Sequence, residues 1–456
     1  MAGHVTIGPA YDYAYISDSN AVGWPRRCVY AEVTLDEALG RASRGVCSVR
    51  RGSLCWRVRI LFITHYFPPE VGAPQSRLFD LASALGRRGH HVTVLTGFPN
   101  YPNGVINSDY RGRWFQIEEL DVMRVVRTAI YPAPNRGVAR RLLNHASFAL
   151  SCIVSSRRAG SADAVVVETP PLFTAAAGVA VARFKRAGMM LNVADLWPDA
   201  VIALGAMQNR PAIAGARAIE RFAYRHADVI AVPTPGLRRT LVGRGRPPDQ
   251  VLVVPHGVDP ARFPLDPSRE PVSGRVVYCG TIGMGHATGT LIDAARTLQD
   301  SGSRCEFVIA GDGAERAQVT ARADGLDRVT FAGRLPRDEL AALLATAQMT
   351  VATQRDVPLL ADALSTKVLE YMAAARPVVG AVSGWTAEVI ERAGAGIVCP
   401  PERPEELARA IGQLAADPAG AREMGLRGRR YVERHLTRDV AVERLEAALE
   451  TIARRT

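Results

Sequence analysis

Short runs of apolar, β-branched residues alternate with segments of helical period along this chain. The alternation stops at a proline-rich break and then starts again. In the first series the pattern predicts strands at 58–64, 91–96, 163–168, 189–194, 228–232 and 251–254, helices near 74–87, 138–156, 171–185 and 211–226, and a hairpin over 114–128. Residues 260–274, with Pro260, Pro264, Pro267 and Pro271, read as a linker. The second series predicts strands at 275–280, 305–310, 328–332, 348–353, 377–382 and 396–399. Helices are predicted near 287–300, 313–323, 337–346, 366–375 and 385–393, and three more at 404–416, 418–434 and 438–454 close the chain. Strands that alternate with helices form parallel sheets covered on both faces. The expected fold is therefore α/β, two doubly wound domains in tandem. Ligands of such sheets bind at the carboxyl ends of the strands, so two facing domains make a cleft. The expected divisions are an extension at 1–56, a first domain at 57–260, a second at 261–435, and a last helix within 436–456 that returns to the first domain.

A chain of 456 residues is too long for one ordinary core and suits two domains. Its 48% hydrophobic and 22% charged residues exclude a disordered chain. The net charge of +11 points to an anionic partner: nucleic acid, membrane surface or phosphorylated ligand. Seven cysteines occur, none in a Cys-x-x-Cys pair, which argues against a disulfide framework or a zinc site and for a reducing cytoplasm. No run approaches the eighteen or so apolar residues that span a bilayer, and the N-terminus lacks the basic-then-apolar order of a secretion signal. Residues 1–56 hold three of the cysteines and no sustained period. They read as a poorly ordered extension, with a regulatory tail as the alternative.

The run Ser365 to Val379 carries the sharpest chemical signal. It opens on Ser/Thr, continues through good helix formers and stops before Pro377. Glu370 suits the positive end of the helix dipole; Lys367 opposes it, and an anion held between that end and Lys367 removes the conflict. Lys367 and Glu370 lie three apart and share a face. A cation for a phosphate beside a carboxylate for a sugar diol fits a nucleotide-sugar site. A capped amphipathic helix with a solvated lysine accounts for the same residues.

Other runs add to this. Cys279 to His286 is a glycine-rich strand-to-helix turn, including Gly283, that does not have G-x-G-x-x-G spacing. His286 reads as a helix cap or a phosphate donor. Gly311, after strand 305–310, lines another such turn. In the first domain Gly72 permits close approach to a phosphate near a helix start. Asp195 follows strand 189–194 and could orient or deprotonate a sugar hydroxyl, or cap the next turn. His256 to Asp259 reads as a hinge turn. Residues 122–162 contain seven Arg and no acidic residue. Within them Ala139, Leu142, Leu143, Ala146, Leu150, Ile153 and Val154 recur at helical spacing. Such a helix, at 138–156, lies in an anionic membrane surface or packs its stripe on the sheet. Nucleic acid is not expected, because no aromatic interleaving accompanies the charge.

In this order, Ile63 to Glu70, Asp195 to Asp199, Gly280 to Met284 and Ser365 to Val379 resemble glycosyltransferase family 4 over about residues 58 to 435. The likeness is greatest to the bacterial branch of surface-polysaccharide amino-deoxysugar (fucosamine) transferases. The resemblance implies a GT-B fold, two Rossmann-like domains with the acceptor on the first and the nucleotide on the second. It implies retention of configuration without a bound metal, and no cofactor beyond a nucleoside-diphosphate sugar as co-substrate. Glu370 would hold the ribose hydroxyls, and Asp362, where the family usually has Glu, would meet the donor sugar. The family's diphosphate Arg and Lys fall on Thr281 and His286. The phosphate charge would then be met by Lys367, helix N-termini, the backbone at Gly72 and a protonated His286. Asp195 would act on the acceptor side, although Ala194 stands where the family commonly has His or Arg. The implied partners are a nucleotide-sugar donor, uridine-activated by the branch resembled, a lipid-linked glycan acceptor, and the inner face of the plasma membrane. A sugar-nucleotide epimerase on the same fold is the nearest alternative. A NAD-dependent oxidoreductase and a non-catalytic sugar-nucleotide binding module are more distant ones.

Overall fold

The computed structural model describes residues 57–455 except 71, 102–103, 134–137, 206 and 267–269. Before them it describes two short antiparallel strands, β1 (Tyr13–Ala14) and β2 (Val29–Tyr30). The remainder of the expected extension at 1–56 lies outside the described residues.

The first lobe contains β3 (Arg59–Ile63), α1 (Ala73–Arg87), β4 (His91–Gly97), β5 (Phe115–Leu120), β6 (Met123–Thr128), α2 (Val138–Ser155) and β7 (Ala164–Thr169). It continues with α3 (Leu172–Lys185), β8 (Gly188–Val193), α4 (Asp199–Ala203), α5 (Arg210–His226), β9 (Val229–Val232), α6 (Pro235–Gly243) and β10 (Val251–Val253). Its eight strands run β10-β9-β8-β7-β3-β4-β6-β5, all parallel except the β5–β6 hairpin. The second lobe contains β11 (Arg275–Cys279), α7 (Thr288–Asp300), β12 (Glu306–Ala310), α8 (Arg316–Arg322), β13 (Val329–Gly333), α9 (Arg337–Thr346) and β14 (Met349–Thr353). Then come α10 (Pro358–Ala361), α11 (Thr366–Ala373), β15 (Val378–Ala381), α12 (Gly384–Arg392), β16 (Gly396–Cys399), α13 (Pro404–Ala416) and α14 (Pro418–His435), followed by α15 (Arg438–Ala453), which returns to the first lobe. Its six parallel strands run β13-β12-β11-β14-β15-β16. The fold is α/β with two Rossmann-like domains, as the alternation predicts.

Central strands such as β7 and β8 are buried throughout, which is why they read as unbroken apolar runs. In each sheet the strand order reverses beside the first strand, between β3 and β7 and between β11 and β14. The loops after β3, β11 and β14 therefore leave from topological switch points, where doubly wound sheets open a crevice. The carboxyl-end loops approach one another: Thr234 Oγ1, after β9, donates to the carbonyl of Asp362, after β14, at 2.5 Å.

Two segments cross between the lobes. His256–Asp259 and Leu436–Arg438 pair as short strands, through Val258 N–H to Leu436 O at 2.9 Å and Arg438 N–H to Val258 O at 3.0 Å. Asp80 of α1 ties both to the first lobe, meeting Arg262 at 2.8 Å and Arg438 at 3.3 Å. Beyond the crossing, α15 sets Val442, Leu445, Leu449 and Ile452 into the apolar core on one face of the first sheet.

Helix α2 has the predicted bounds to within a residue, but its apolar stripe faces out. The residues it buries are Asn144, Phe148, Cys152 and Ser155, while Leu142, Leu143, Leu150, Ile153 and Val154 are exposed on the opposite arc. Packing of that stripe on the sheet is thereby corrected. So is the lack of aromatic company for the charge: Arg158 lies 3.8 Å from the Phe115 ring centroid, and Arg157 and Lys185 flank Phe184. Those rings come from outside the basic run.

Candidate active site

The second lobe builds its part of the site around a buried cation. Gly280 and Gly311, at the ends of β11 and β12, have φ of +145° and +150°. Their backbones pack so closely that a Cβ on Gly311 would lie 1.8 Å from the Gly280 carbonyl, and one on Gly280 would lie 3.0 Å from Lys367 Cε. Only glycine at both positions leaves room for the lysine stem. Lys367, in the first turn of α11, is 6% exposed. Its Nζ donates to the Tyr278 hydroxyl at 2.7 Å, reaches His286 Nδ1 at 3.4 Å and lies 4.3 Å from the Tyr278 ring centroid. Among the described residues no carboxylate is within ion-pair distance of it. Ser365 flanks the helix without a side-chain cap bond, so the first-turn N–H groups have no side-chain acceptor. A buried charge without a counter-ion is costly, and an arriving anion relieves that cost.

His286 is held neutral. Burial, and then Lys367, lower its pKa to about 3. Because lysine only donates, Nδ1 is the acceptor and the ring proton sits on Nε2. Without an anion beside it, a second cation next to Lys367 is disfavoured twice, by desolvation and by repulsion, so the ligand-free ring is not the protonated form expected on the phosphate. Gly283 turns the same loop, its carbonyl accepting from His286 N–H at 2.9 Å. Glu370 is half-buried one turn beyond Lys367. Burial raises its carboxyl above the ordinary range, and Arg337, Arg438, Arg262 and Lys367 oppose the rise. Among the described residues no hydrogen bond holds that carboxylate.

On the first lobe, Gly72 is the residue before α1. Its φ of 177° is extended backbone, and a Cβ there would meet the Gln75 side-chain oxygen at 2.4 Å. Asp195 follows β8. Its side chain is open to solvent, yet the surrounding protein desolvates it enough to raise the carboxyl, against the pull of Arg77. Arg77 of α1 pairs with Glu168 at the end of β7, and Glu168 also accepts from Asn192 Nδ2 at 2.6 Å. Among the described residues no three His, Cys, Asp or Glu side chains converge as metal ligands.

Comparison with known proteins now bears on this geometry. Residues 72–257 match a family described as glycosyl transferase 4-like domain, and residues 273–417 match glycosyl transferases group 1. A putative colanic acid biosynthesis glycosyl transferase, WcaI of Escherichia coli K12, is 25% identical over 63% of this chain and 74% of its own. The 2-deoxystreptamine glucosyltransferase of Streptomyces kanamyceticus is 27% identical over 76% of this chain and 90% of its own. Among solved structures, Anabaena HepE in complex with UDP and glucose superposes with a TM-score of 0.65 at 16% identity, over 87% of this chain and all of that one.

The chain is a GT-B glycosyltransferase.

In this glycosyltransferase, Lys367, His286, Gly283, Gly311 and Glu370 come together on the second lobe, and Gly72 and Asp195 stand on the first. Asp362 Oδ2 accepts from Thr240 Oγ1 at 2.7 Å, and a Cβ on Gly236 would lie 2.5 Å from its Oδ1. The carboxylate thus bonds α6 of the other lobe through one of its oxygens. Sequence reasoning missed Tyr278, because a tyrosine inside a strand looks like core, and Arg77, because a helix-borne arginine looks solvated. It also missed α6, although Thr234 followed by Pro235 is a helix-start signal; Thr234 Oγ1 indeed accepts from Leu237 N–H at 3.1 Å.

Proposed function

We propose that the glycosyltransferase moves a sugar from a nucleoside-diphosphate sugar, a uridine-activated amino or deoxy sugar, to a lipid-linked glycan at the inner face of the plasma membrane, in cell-surface polysaccharide synthesis. The observation that carries this reading is Lys367, a buried ammonium held by a phenol and a neutral imidazole with no carboxylate of the described residues within ion-pair distance. The donor diphosphate supplies the missing counter-ion. Glu370, whose carboxylate has no hydrogen-bond partner among the described residues, accepts hydrogen bonds from a vicinal diol such as that of ribose. Backbone N–H groups at the first turn of α11 and near Gly72 complete the phosphate cradle, and His286 offers Nε2–H as a neutral donor.

In the reaction the bond between the anomeric carbon and the diphosphate breaks as an acceptor hydroxyl bonds to that carbon from the same face. The departing diphosphate takes the hydroxyl proton, so no metal is required. Lys367 and the backbone amides stabilise the charge that develops on the leaving oxygen. Asp195, on the opposite lobe, orients the acceptor hydroxyl. Asp362, one of whose oxygens bonds Thr240, meets the donor sugar with the other.

The bound UDP and glucose of HepE and the polysaccharide assignment of WcaI support the donor and pathway parts of the reading. The outward face of α2 supports the membrane part. Leu150 and Val154 are 69% and 67% exposed, Trp114 is 83% exposed, Arg158 lies over the Phe115 ring, and Arg157 and Lys185 flank Phe184. Aliphatic side chains among cation-flanked rings suit an interfacial layer better than stacked bases. Among the described residues no helix is long and apolar enough to cross a membrane.

A panel of nucleotides read by thermal shift, then the best sugar donor incubated with membrane lipid extract, tests the reading. Mass spectrometry should find a lipid heavier by one sugar residue. Donor conversion to an isomer without any acceptor would replace it with an epimerase.

A further inference from the structure

The loop after β3 and the loop after β4 bring three half-buried rings together with helix α2 at the carboxyl edge of the first sheet. Tyr66 and Tyr101 meet edge-on with centroids 5.5 Å apart, Tyr66 meets His65 at 4.4 Å, and His145 meets His65 at 4.9 Å. The layer beneath them is rigidly built. Buried Glu70 Oε1 accepts the N–H groups of Asn100 and Tyr101, both at 2.8 Å, which fixes the Tyr101 loop. Buried Asn144 accepts from His65 Nε2 at 2.8 Å and donates to Asn100 Oδ1 at 3.4 Å, which ties α2 to both loops, and it donates also to Tyr131 O at 2.6 Å. The Glu70 and Asn144 side chains of this layer bond backbone and side-chain groups beneath the rings. The polar tips above it are free: among the described residues the Tyr66 and Tyr101 hydroxyls and the His145 nitrogens have no hydrogen-bond partner. Arg141, one helical turn before His145, is exposed and has no ion pair among the described residues. It is close enough to Tyr66 and His145 to act on both electrostatically.

The geometry points to Tyr66, Tyr101 and His145 as the acceptor-sugar platform of this glycosyltransferase, with Arg141 holding an anionic phosphate that joins the sugar to its lipid. Aromatic bodies pack the apolar face of a pyranose while their polar tips bond its hydroxyls. An unpaired arginine beside them selects a phosphate, to which it can donate two parallel hydrogen bonds. The same helix carries the rest of the ligand. Asn144 and His145 face the platform, Arg141 stands exposed one turn before them, and Leu142 and Leu143 are exposed beside Arg141, so α2 can meet a sugar, the phosphate joined to it and the start of an acyl chain. The inference rests on the transferase reading for the word acceptor, but binding at this place can be measured without turnover.

The test is a calorimetric titration, with no donor present, of a short-chain alkyl diphosphate-linked N-acetylhexosamine and of the octyl glycoside of the same sugar. Arg141→Gln, a change at an exposed side chain, should weaken the diphosphate probe about tenfold, the worth of one charge-assisted contact, and leave the glycoside unchanged. Tyr101→Ala should weaken both probes alike, and Tyr101→Phe should recover most of that loss while nucleotide binding stays at the wild-type level in all three variants. Equal affinity of wild type and variants for both probes would overturn the platform, whatever the enzyme then proves to transfer. Loss of nucleotide binding alone would move these residues to the donor side. Normal probe binding with no transfer to any acceptor would leave the platform standing and remove the transferase reading.

Discussion

At Lys367 the folded chain tolerates a cation in a position that disfavours one twice, by burial and by the dipole of α11. Such a residue is retained for what binds it. Lys367→Met should therefore leave the melting temperature of the ligand-free protein unchanged or raised, while kcat falls by about 10²- to 10³-fold, the usual effect of removing one transition-state charge contact. Differential scanning fluorimetry with steady-state assays checks both; a lower melting temperature with intact turnover would make the lysine structural. His286 gives a second test. Its folded pKa, about 3, lies below the ordinary 6.5. Between those values the unfolded chain binds a proton that the folded chain does not. The neutral ring's contribution to stability is thus complete above pH 6.5 and lost as pH falls toward 3. His286→Gln should lower the slope of unfolding free energy against pH by about 1.4 kcal/mol per unit between pH 6 and 4, as read from urea melts at several pH values. At this scale the sequence reveals Lys367 and Glu370, because a charge conflict at a helix start is a local fact. It does not reveal Tyr278 or the tautomer of His286, because both depend on side chains 81 and 89 residues away from Lys367.

Elements were legible wherever their period was long and their ends were marked. The six strands and six α-helices of the second series through β16 include only one helix, α10, that periodicity does not find, and it is a single turn within a loop. What periodicity cannot give is the direction of a stripe. The spacing of Leu142, Leu143, Leu150, Ile153 and Val154 defines one face of α2, but only the positions of Phe148 and Cys152 against the sheet decide that this face looks outward. That orientation makes a prediction for the element. The double change Leu150→Glu and Val154→Glu should abolish flotation with anionic vesicles at low salt and alter stability by no more than about 0.5 kcal/mol per site, the norm for exposed positions. Retained flotation would show that another surface meets the lipid.

For the whole molecule, the two lobes were legible as a repeat of the same alternation, but their connection was not. The pairing of Val258 with Thr437, the hold of Asp80 on Arg262 and Arg438, and the Asp362–Thr240 bond all join residues far apart in sequence. Helix α15 belongs energetically to the first lobe. Ending the chain at residue 435 removes Val442, Leu445, Leu449 and Ile452 from its core. At about 1.5–3 kcal/mol for each buried side chain, that loss matches the whole stability of an ordinary domain. The truncated protein should be insoluble or show no cooperative melt by circular dichroism; a normal melt would mean that α15 only lies on the surface. The central claim, that the donor's diphosphate completes the buried charge of Lys367, is tested most directly by calorimetry. The nucleoside diphosphate giving the largest thermal shift is titrated against wild type and Lys367→Met, alongside its parent nucleoside. The account predicts at least about a tenfold loss of diphosphate affinity in the variant with nucleoside affinity unchanged. Equal diphosphate affinity in the two proteins would contradict it.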